Sequence, residues 1–145
     1  MEKKTIDHVL RSTWQAVAKM YNEEAVKYNS TMAVGFALLS IDPKKGTPST
    51  SLGPKMGMEA TSLSRTLKSM EEKKFIQRKP NPYDGRGVLI HLTELGKTKR
   101  DASRIAVKKF NQAVLDEAGI ESIENFHLVI EKINELTKKK NIFTF

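Results

Sequence analysis

The sequence contains no cysteine among its 145 residues. This absence excludes disulfide scaffolds, thiolate zinc sites, cysteine nucleophiles and thiol-based redox sensing. Aromatic residues make up only 7% of the chain. No apolar run approaches the roughly 20 residues that a membrane-spanning helix needs. The first residues carry no apolar signal segment. The sequence therefore predicts a soluble, cytoplasmic protein with one domain and helical additions.

Catalytic and cofactor-binding motifs are also absent. The sequence has no phosphate-binding P-loop, no Gly-x-Ser-x-Gly nucleophile turn and no His-Glu-x-x-His zinc motif. The histidines, His8, His91 and His127, are scattered over different predicted elements. We therefore expect no enzyme activity, no cofactor and no metal site.

Positive charge is plentiful, and it is concentrated in one part of the chain. The formal net charge is +8 at pH 7. The segment from Lys55 to Arg100 carries 11 basic and 5 acidic side chains, a net charge of +6, whereas residues 101–145 are neutral. A surface without a charged partner would intersperse both signs, so this concentration favours a phosphate-rich partner.

Apolar periodicity predicts a mainly helical first third. Apolar residues spaced by three and four predict a long helix from Ile6 to Tyr28. Ser30 or Thr31 can cap a second, buried helix that ends before Pro43. Residues 42–53 have the composition of a loop.

Two short helices are expected after this loop. Leu52 and Met56 define the first, in which Pro54 is tolerable only in the first turn, and Gly57 ends it. The second runs from Glu59 to Lys73, with one apolar face and an opposite face of small polar and basic residues. Two such helices joined by a glycine turn are typical of a helix-turn-helix.

The apolar period then changes from helical to alternating. Two alternating segments flank a basic, glycine-rich loop at Lys79–Gly87, which predicts a β-hairpin. Thr93 can cap a further helix that ends at Gly119, and a last helix extends from Ile123 to Thr137. The predicted fold class is mainly α with a small β-hairpin (α+β).

Three motifs in this order point to a known family. They are residues 52–76, Asp84-Gly-Arg86 and Leu92-Thr-Glu-Leu-Gly96. Together they resemble the MarR (multiple antibiotic resistance regulator) family of winged helix-turn-helix transcription factors. Lys74 departs from the family, which usually has glycine at the end of its recognition helix. A non-glycine residue is therefore expected in a left-handed conformation at that point.

The resemblance implies a domain division and a homodimer. The winged helix-turn-helix DNA-binding domain would be residues 31–100, and the helical dimerisation region would be residues 1–30 and 101–145. Apolar stripes on the first and last helices, which include Trp14 and Phe126, are consistent with an interface between copies. Symmetric dimers place two recognition helices about one DNA turn apart, which predicts a palindromic operator. The alternative is that these stripes pack within one chain.

The function implied by the resemblance is sequence-specific binding of double-stranded DNA, as a repressor. Side chains of the second short helix would enter the major groove, and the hairpin would contact phosphates and the minor groove. The predicted DNA-binding residues are Thr61, Ser62, Ser64, Arg65, Lys68, Arg78, Lys79, Asp84 and Arg86. Asp84 would orient Arg86 in the minor groove, and Arg78 and Lys79 would clamp adjacent phosphates.

Each of these assignments has a structural alternative. Thr61 and Ser62 are also suited to capping their helix, and Arg65 to an ion pair with Glu72. Asp84 followed by glycine is a common turn signal in its own right. For the whole protein, the alternative function is a winged-helix module that contacts RNA or protein without operator binding.

The resemblance further implies a cleft for a small aromatic or anionic effector. The candidate lining residues are Trp14, Met20, Tyr21, Met32, Phe36 and Phe110. Their spacing fits ordinary core packing equally well. We expect the partners to be operator DNA, a second copy of the chain and such an effector, with no membrane.

Overall fold

The computed structural model describes residues 3–144, apart from the side chain of Arg86. Within that range the elements are α1 (Ile6–Val26), α2 (Met32–Ser40), β1 (Thr47–Pro48), α3 (Ser49–Met56), α4 (Ala60–Glu72), β2 (Ile76–Asn81), β3 (Asp84–Leu92), α5 (Glu94–Ala118) and α6 (Ile120–Thr137). The chain divides into two compact units between Arg104 and Ile105. The α+β fold class predicted from the sequence is confirmed.

The turn between α1 and α2 is held by side-chain hydrogen bonds. Thr31 caps α2 as predicted, since its Oγ1 accepts the N–H of Val34 at 3.2 Å. From α1, the Asn22 side-chain oxygen accepts the N–H of Met32 at 2.9 Å. Both bonds satisfy backbone donors that a helix start leaves without partners.

The buried core lies in the first unit and is built by α2, α3, α4 and the sheet. Its members are Val34, Ala37, Leu38, Ile41, Leu52, Leu63, Leu67, Met70, Phe75, Ile76 and Ile90. In α4 the buried residues recur every three or four positions, so one face of that helix packs inward and the other faces solvent.

The helix α3 corrects two predictions. It begins at Ser49, so residues 49–53 are helical rather than loop. Pro54 lies in the interior of the helix and not in its first turn. Gly57 ends α3 as predicted, with a left-handed φ of 61°. The N–H of Met58 then donates to the carbonyl oxygen of Gly53 at 3.0 Å, which fixes the turn that leads into α4.

A three-stranded sheet of order β1–β3–β2 completes the first unit. The strands β2 and β3 form the predicted antiparallel hairpin. Sequence analysis missed β1, whose two residues pair with Ile90 and Leu89 of β3. The two outer strands each contain a proline, Pro48 in β1 and Pro80 in β2.

The second unit contains the end of α5 and the whole of α6. Gly119, with a φ of 81°, separates the two helices as predicted. No described residue of α6 is buried, and the same holds for α1 in the first unit. The large apolar side chains exposed on α6 are Ile120, Phe126, Leu128, Val129 and Leu136.

Candidate nucleic-acid interface

The outward face of α4 gathers five of the predicted DNA-binding residues. Thr61, Ser62, Ser64, Arg65 and Lys68 are all exposed. They alternate with the buried Leu63, Leu67 and Met70, whose packing sets the rotation of the helix about its axis. Short hydroxyl side chains therefore occupy the first two turns, and the two cations follow.

The start of α4 is open to an anionic partner. Its N-cap residue, Glu59, makes no side-chain capping hydrogen bond, and Thr61 and Ser62 do not cap the helix either. The alternative that these two hydroxyls cap α4 is therefore not observed in the structure. Unsatisfied N–H groups and the positive end of the helix dipole attract phosphate at such a helix start.

Arg65 has no ion pair among residues 3–144, so the alternative of a pair with Glu72 is absent there. A different arginine, Arg78, does form an ion pair with a glutamate. Arg78 Nε donates to Glu71 Oε2 at 3.0 Å and links β2 to the last turn of α4. Both of these side chains are partly exposed, so the pair contributes at most about 1 kcal/mol.

Arg78 and Lys79, the residues predicted to clamp adjacent phosphates, are neighbours on β2. Both residues are exposed on β2. Successive residues of a strand point to opposite faces, and Arg78 faces α4 through its bond to Glu71. Lys79 lies on the other face of the hairpin. The contact of these two residues with adjacent phosphates stays a prediction.

The turn after α4 contains the expected left-handed residue. Lys74 has a φ of 62°. Its N–H donates to the carbonyl oxygen of Glu71 at 3.0 Å, and the N–H of Phe75 donates to that of Met70 at 2.9 Å. These are the two bonds of a Schellman motif, which usually contains glycine at this position. The predicted left-handed conformation of the non-glycine residue Lys74 is confirmed.

Thr93 joins this turn to the start of α5. Its Oγ1 donates to the carbonyl oxygen of Lys74 at 2.7 Å and accepts the N–H of Gly96 at 2.9 Å. The N–H of Thr93 donates to the carbonyl oxygen of Phe75 at 3.0 Å. One residue thus caps α5, as predicted, and also holds the end of β3 against the turn that follows the outward-facing helix.

The tip of the hairpin is shorter than predicted. Only Pro82 and Tyr83 connect the strands, so the expected loop at Lys79–Gly87 is mostly strand. The Asn81 side-chain oxygen accepts the N–H of Tyr83 at 3.0 Å and thereby stabilises the turn. Asp84 begins β3 rather than forming the turn with the next glycine.

Asp84 lies beside the predicted minor-groove arginine. Its Oδ2 is 3.3 Å from the point where a Cβ on Gly87 would stand, so the carboxylate lies close to the backbone of the residue that follows Arg86. The pairing of β2 and β3 is irregular here, and residues 85–87 are additional residues on the β3 side. The side chain of Arg86 lies outside the described part of the structure.

A cleft of about 420 Å³ brings together three of the predicted effector residues, Trp14, Met32 and Phe36. The remaining lining residues are Ala33, Ser40, Lys55, Met56, Gly57 and Met58, which sequence analysis missed. Lys55 Nζ donates to the carbonyl oxygen of Ser40 at 3.1 Å. The cleft is therefore largely apolar and contains one cation.

The other predicted cleft residues lie elsewhere. Tyr21 packs edge-on against the Phe36 ring, with ring centroids 5.6 Å apart, and burial raises the pKa of its phenol. Met20 is exposed on α1, and neither of these two residues lines the cleft. Phe110 belongs to the second unit.

No group of three or more histidine, aspartate or glutamate side chains suited to a metal ion occurs in the described part of the chain. No helix within residues 3–144 has the length and apolar character needed to cross a membrane.

Comparison with known proteins gives matches over most of the chain. Residues 31–88 match the MarR family model. The chain is 27% identical over 126 residues to the HTH-type transcriptional regulator SarZ of Staphylococcus aureus, an alignment that covers 86% of this chain and 85% of SarZ.

Two solved structures are similar to the structure of this chain. One is the S. aureus MepR–DNA complex, with a TM-score of 0.82, 18% identity and coverage of 92% of this chain and 98% of MepR. The other is a mutant of E. coli MarR complexed with operator DNA, with a TM-score of 0.77, 22% identity and coverage of 88% and 92%. These likenesses support the winged-helix fold.

Proposed function

We propose that this chain, whose residues 31–88 match the MarR family model, is a transcriptional regulator that binds double-stranded DNA. The observation that carries the proposal is the outward face of α4. There, hydroxyl side chains and unpaired Arg65 project from an uncapped helix start, inside a segment of net charge +6. This combination suits major-groove contact, with base recognition by Arg65 and phosphate contact by Lys68.

The hairpin would act as a wing that contacts the DNA beside the major groove. The carboxylate of Asp84 lies close to the backbone of Gly87, and this proximity supports a role in orienting the neighbouring Arg86. An arginine held in this way suits the narrow minor groove of A·T-rich sequence, where negative potential is concentrated. Lys79 adds a phosphate contact whose strength depends on salt.

The regulator acts as a homodimer in this proposal. The support is that neither α1 nor α6 buries any described residue, although both carry large apolar side chains. A second copy would cover such faces, and a twofold axis would place two α4 helices about 34 Å apart on a palindromic operator. A dimer bound over a promoter would exclude polymerase, so repression is the proposed direction.

An effector would release the operator by binding the cleft beside α1, α2 and α3. Its Trp14 and Phe36 rings offer apolar surface, and Lys55 offers a positive charge. A small aromatic anion matches both features. The cleft lies against α3, so occupancy there can shift the helix that supports α4.

Three probes at two salt concentrations test the DNA-binding proposal. They are a palindromic duplex selected from a random pool, a scrambled duplex of the same composition and a single-stranded RNA. We expect tightest binding to the palindrome, with affinity for both duplexes falling as salt rises. Equal binding of all three would contradict operator recognition. Preference for RNA would favour the alternative of a winged-helix module without operator binding.

A further inference from the structure

An exposed aromatic side chain lies at the tip of the hairpin. Tyr83 is 96% exposed, the largest exposed fraction among the large apolar side chains that the structure describes. It occupies the second position of the two-residue turn between β2 and β3. A tyrosine ring in this position is not stabilised by burial in the core, so packing within the chain does not explain why a tyrosine occurs there.

The backbone that carries Tyr83 is nevertheless well fixed. Pro82 precedes it and restricts one backbone angle, and the Asn81 side-chain oxygen accepts its N–H at 3.0 Å. Only two side-chain torsions remain to be ordered when the ring meets a partner. A rigidly mounted aromatic ring binds with a small loss of conformational entropy, as tyrosines of binding loops do.

The basic residues of the hairpin favour a partner that bears phosphate groups. Tyr83 directly precedes Asp84, and Lys79 is exposed on the strand that leads to the tip. We propose that Tyr83 is a further DNA-contacting residue. Its ring packs on a deoxyribose at the edge of the minor groove, and its phenol donates a hydrogen bond to the adjacent phosphate oxygen. This proposal rests on the proposed function, because it assumes that the hairpin meets DNA.

The contact positions the hairpin without reading sequence. Sugar and phosphate contacts fix the register of a protein on the duplex, whereas base edges specify it. Tyr83 is uncharged, so it displaces no counterion, and the salt dependence of binding is unaffected by its loss. Lys68 is also proposed to contact phosphate, but it is a cation, so its loss is expected to lower the salt dependence of binding.

The test compares variants of the full chain on the duplex selected from a random pool. Tyr83→Ala is expected to weaken binding about tenfold, and Tyr83→Phe, which keeps the ring, about threefold. Neither changes the slope of log affinity against log salt, whereas Lys68→Ala, which removes a proposed phosphate contact, reduces that slope by about one. Tyr28→Ala removes a tyrosine that is 61% exposed at the end of α1, and it should leave affinity unchanged.

Hydroxyl-radical footprinting locates the contact. The parent chain is expected to protect sugars on the flanks of the site, and Tyr83→Ala to lose that protection while the central footprint remains. If Tyr83→Ala binds within twofold of the parent and keeps the full footprint, the assignment of Tyr83 is overturned and the proposed function stands. If the parent binds no duplex, the proposed function and the role of Tyr83 both fail.

Discussion

The backbone of Gly96 in α5 lies against the carbonyl oxygen of Phe75, with no space between them for a Cβ atom. The same carbonyl accepts the N–H of Thr93. The start of α5 is therefore packed directly on the turn that follows α4. This close approach explains why the last residue of the Leu-Thr-Glu-Leu-Gly motif is glycine, which has no side chain.

Gly96→Ala is expected to destabilise the protein by about 2 kcal/mol or more, because the added methyl group meets backbone that cannot move independently. Chemical denaturation measures the change. Gly85→Ala is the matched control, since no atom lies within 4 Å of a Cβ at that position, and it should change stability by less than about 0.5 kcal/mol. Equal stability of the two variants would contradict the close packing.

Thr93→Ala removes a hydroxyl that both caps α5 and bonds the carbonyl oxygen of Lys74. We expect a loss of about 1–2 kcal/mol in the free energy of unfolding. Thr93→Ser retains the hydroxyl and should recover most of that stability. A serine variant as unstable as the alanine variant would assign the effect to the lost methyl group instead.

Lys74→Gly is expected to stabilise the protein by about 1 kcal/mol, because glycine adopts the left-handed conformation of residue 74 without a steric penalty. Thermal unfolding measures the gain. Lys74→Ala removes the same charge but keeps a Cβ, so it should not stabilise. If both variants stabilise equally, removal of the charge rather than the conformation is responsible.

Arg86→Ala is expected to weaken operator binding by about 1–3 kcal/mol without unfolding the protein. Gel-shift titration gives the affinity, and circular dichroism checks the fold. Arg104→Ala removes an exposed arginine outside the basic segment and should leave affinity unchanged. Unchanged affinity of Arg86→Ala would rule out the wing assignment.

Phe126→Glu places a charge on the exposed apolar face of α6 and is expected to shift the chain from dimer to monomer. Sedimentation equilibrium distinguishes a 16.4 kDa chain from a species of twice that mass. Asn125→Glu adds the same charge at an exposed polar neighbour and should leave the dimer intact. A parent chain that sediments as a monomer at micromolar concentration would refute the dimer.

Features governed by local periodicity were predictable from the sequence. The spacing of Leu63, Leu67 and Met70 gave the inward face of α4. Thr31 and Thr93 were recognisable as caps because a hydroxyl preceded an apolar helical pattern. Exposure of the outward residues of α4 followed from the same periodicity.

Features that depend on long-range contacts were not predictable. The strand β1 has two residues, too few for an alternating pattern, and it exists because it pairs with Ile90 and Leu89. Pro54 lies inside α3 because tertiary packing, through buried Leu52, outweighs its low helix propensity. The pair between Arg78 and Glu71 joins two elements whose proximity only the fold supplies.

The prolines in both outer strands of the sheet affect how copies of the chain can meet. Pro48 and Pro80 have no backbone N–H, so neither edge offers an uninterrupted ladder of donors to a strand from another molecule. Under the proposed function, chains bound at neighbouring DNA sites would therefore have little tendency to join their hairpins into a continuous sheet. The proposed dimer would then form through side-chain surfaces of helices, which separate more readily than paired backbone strands.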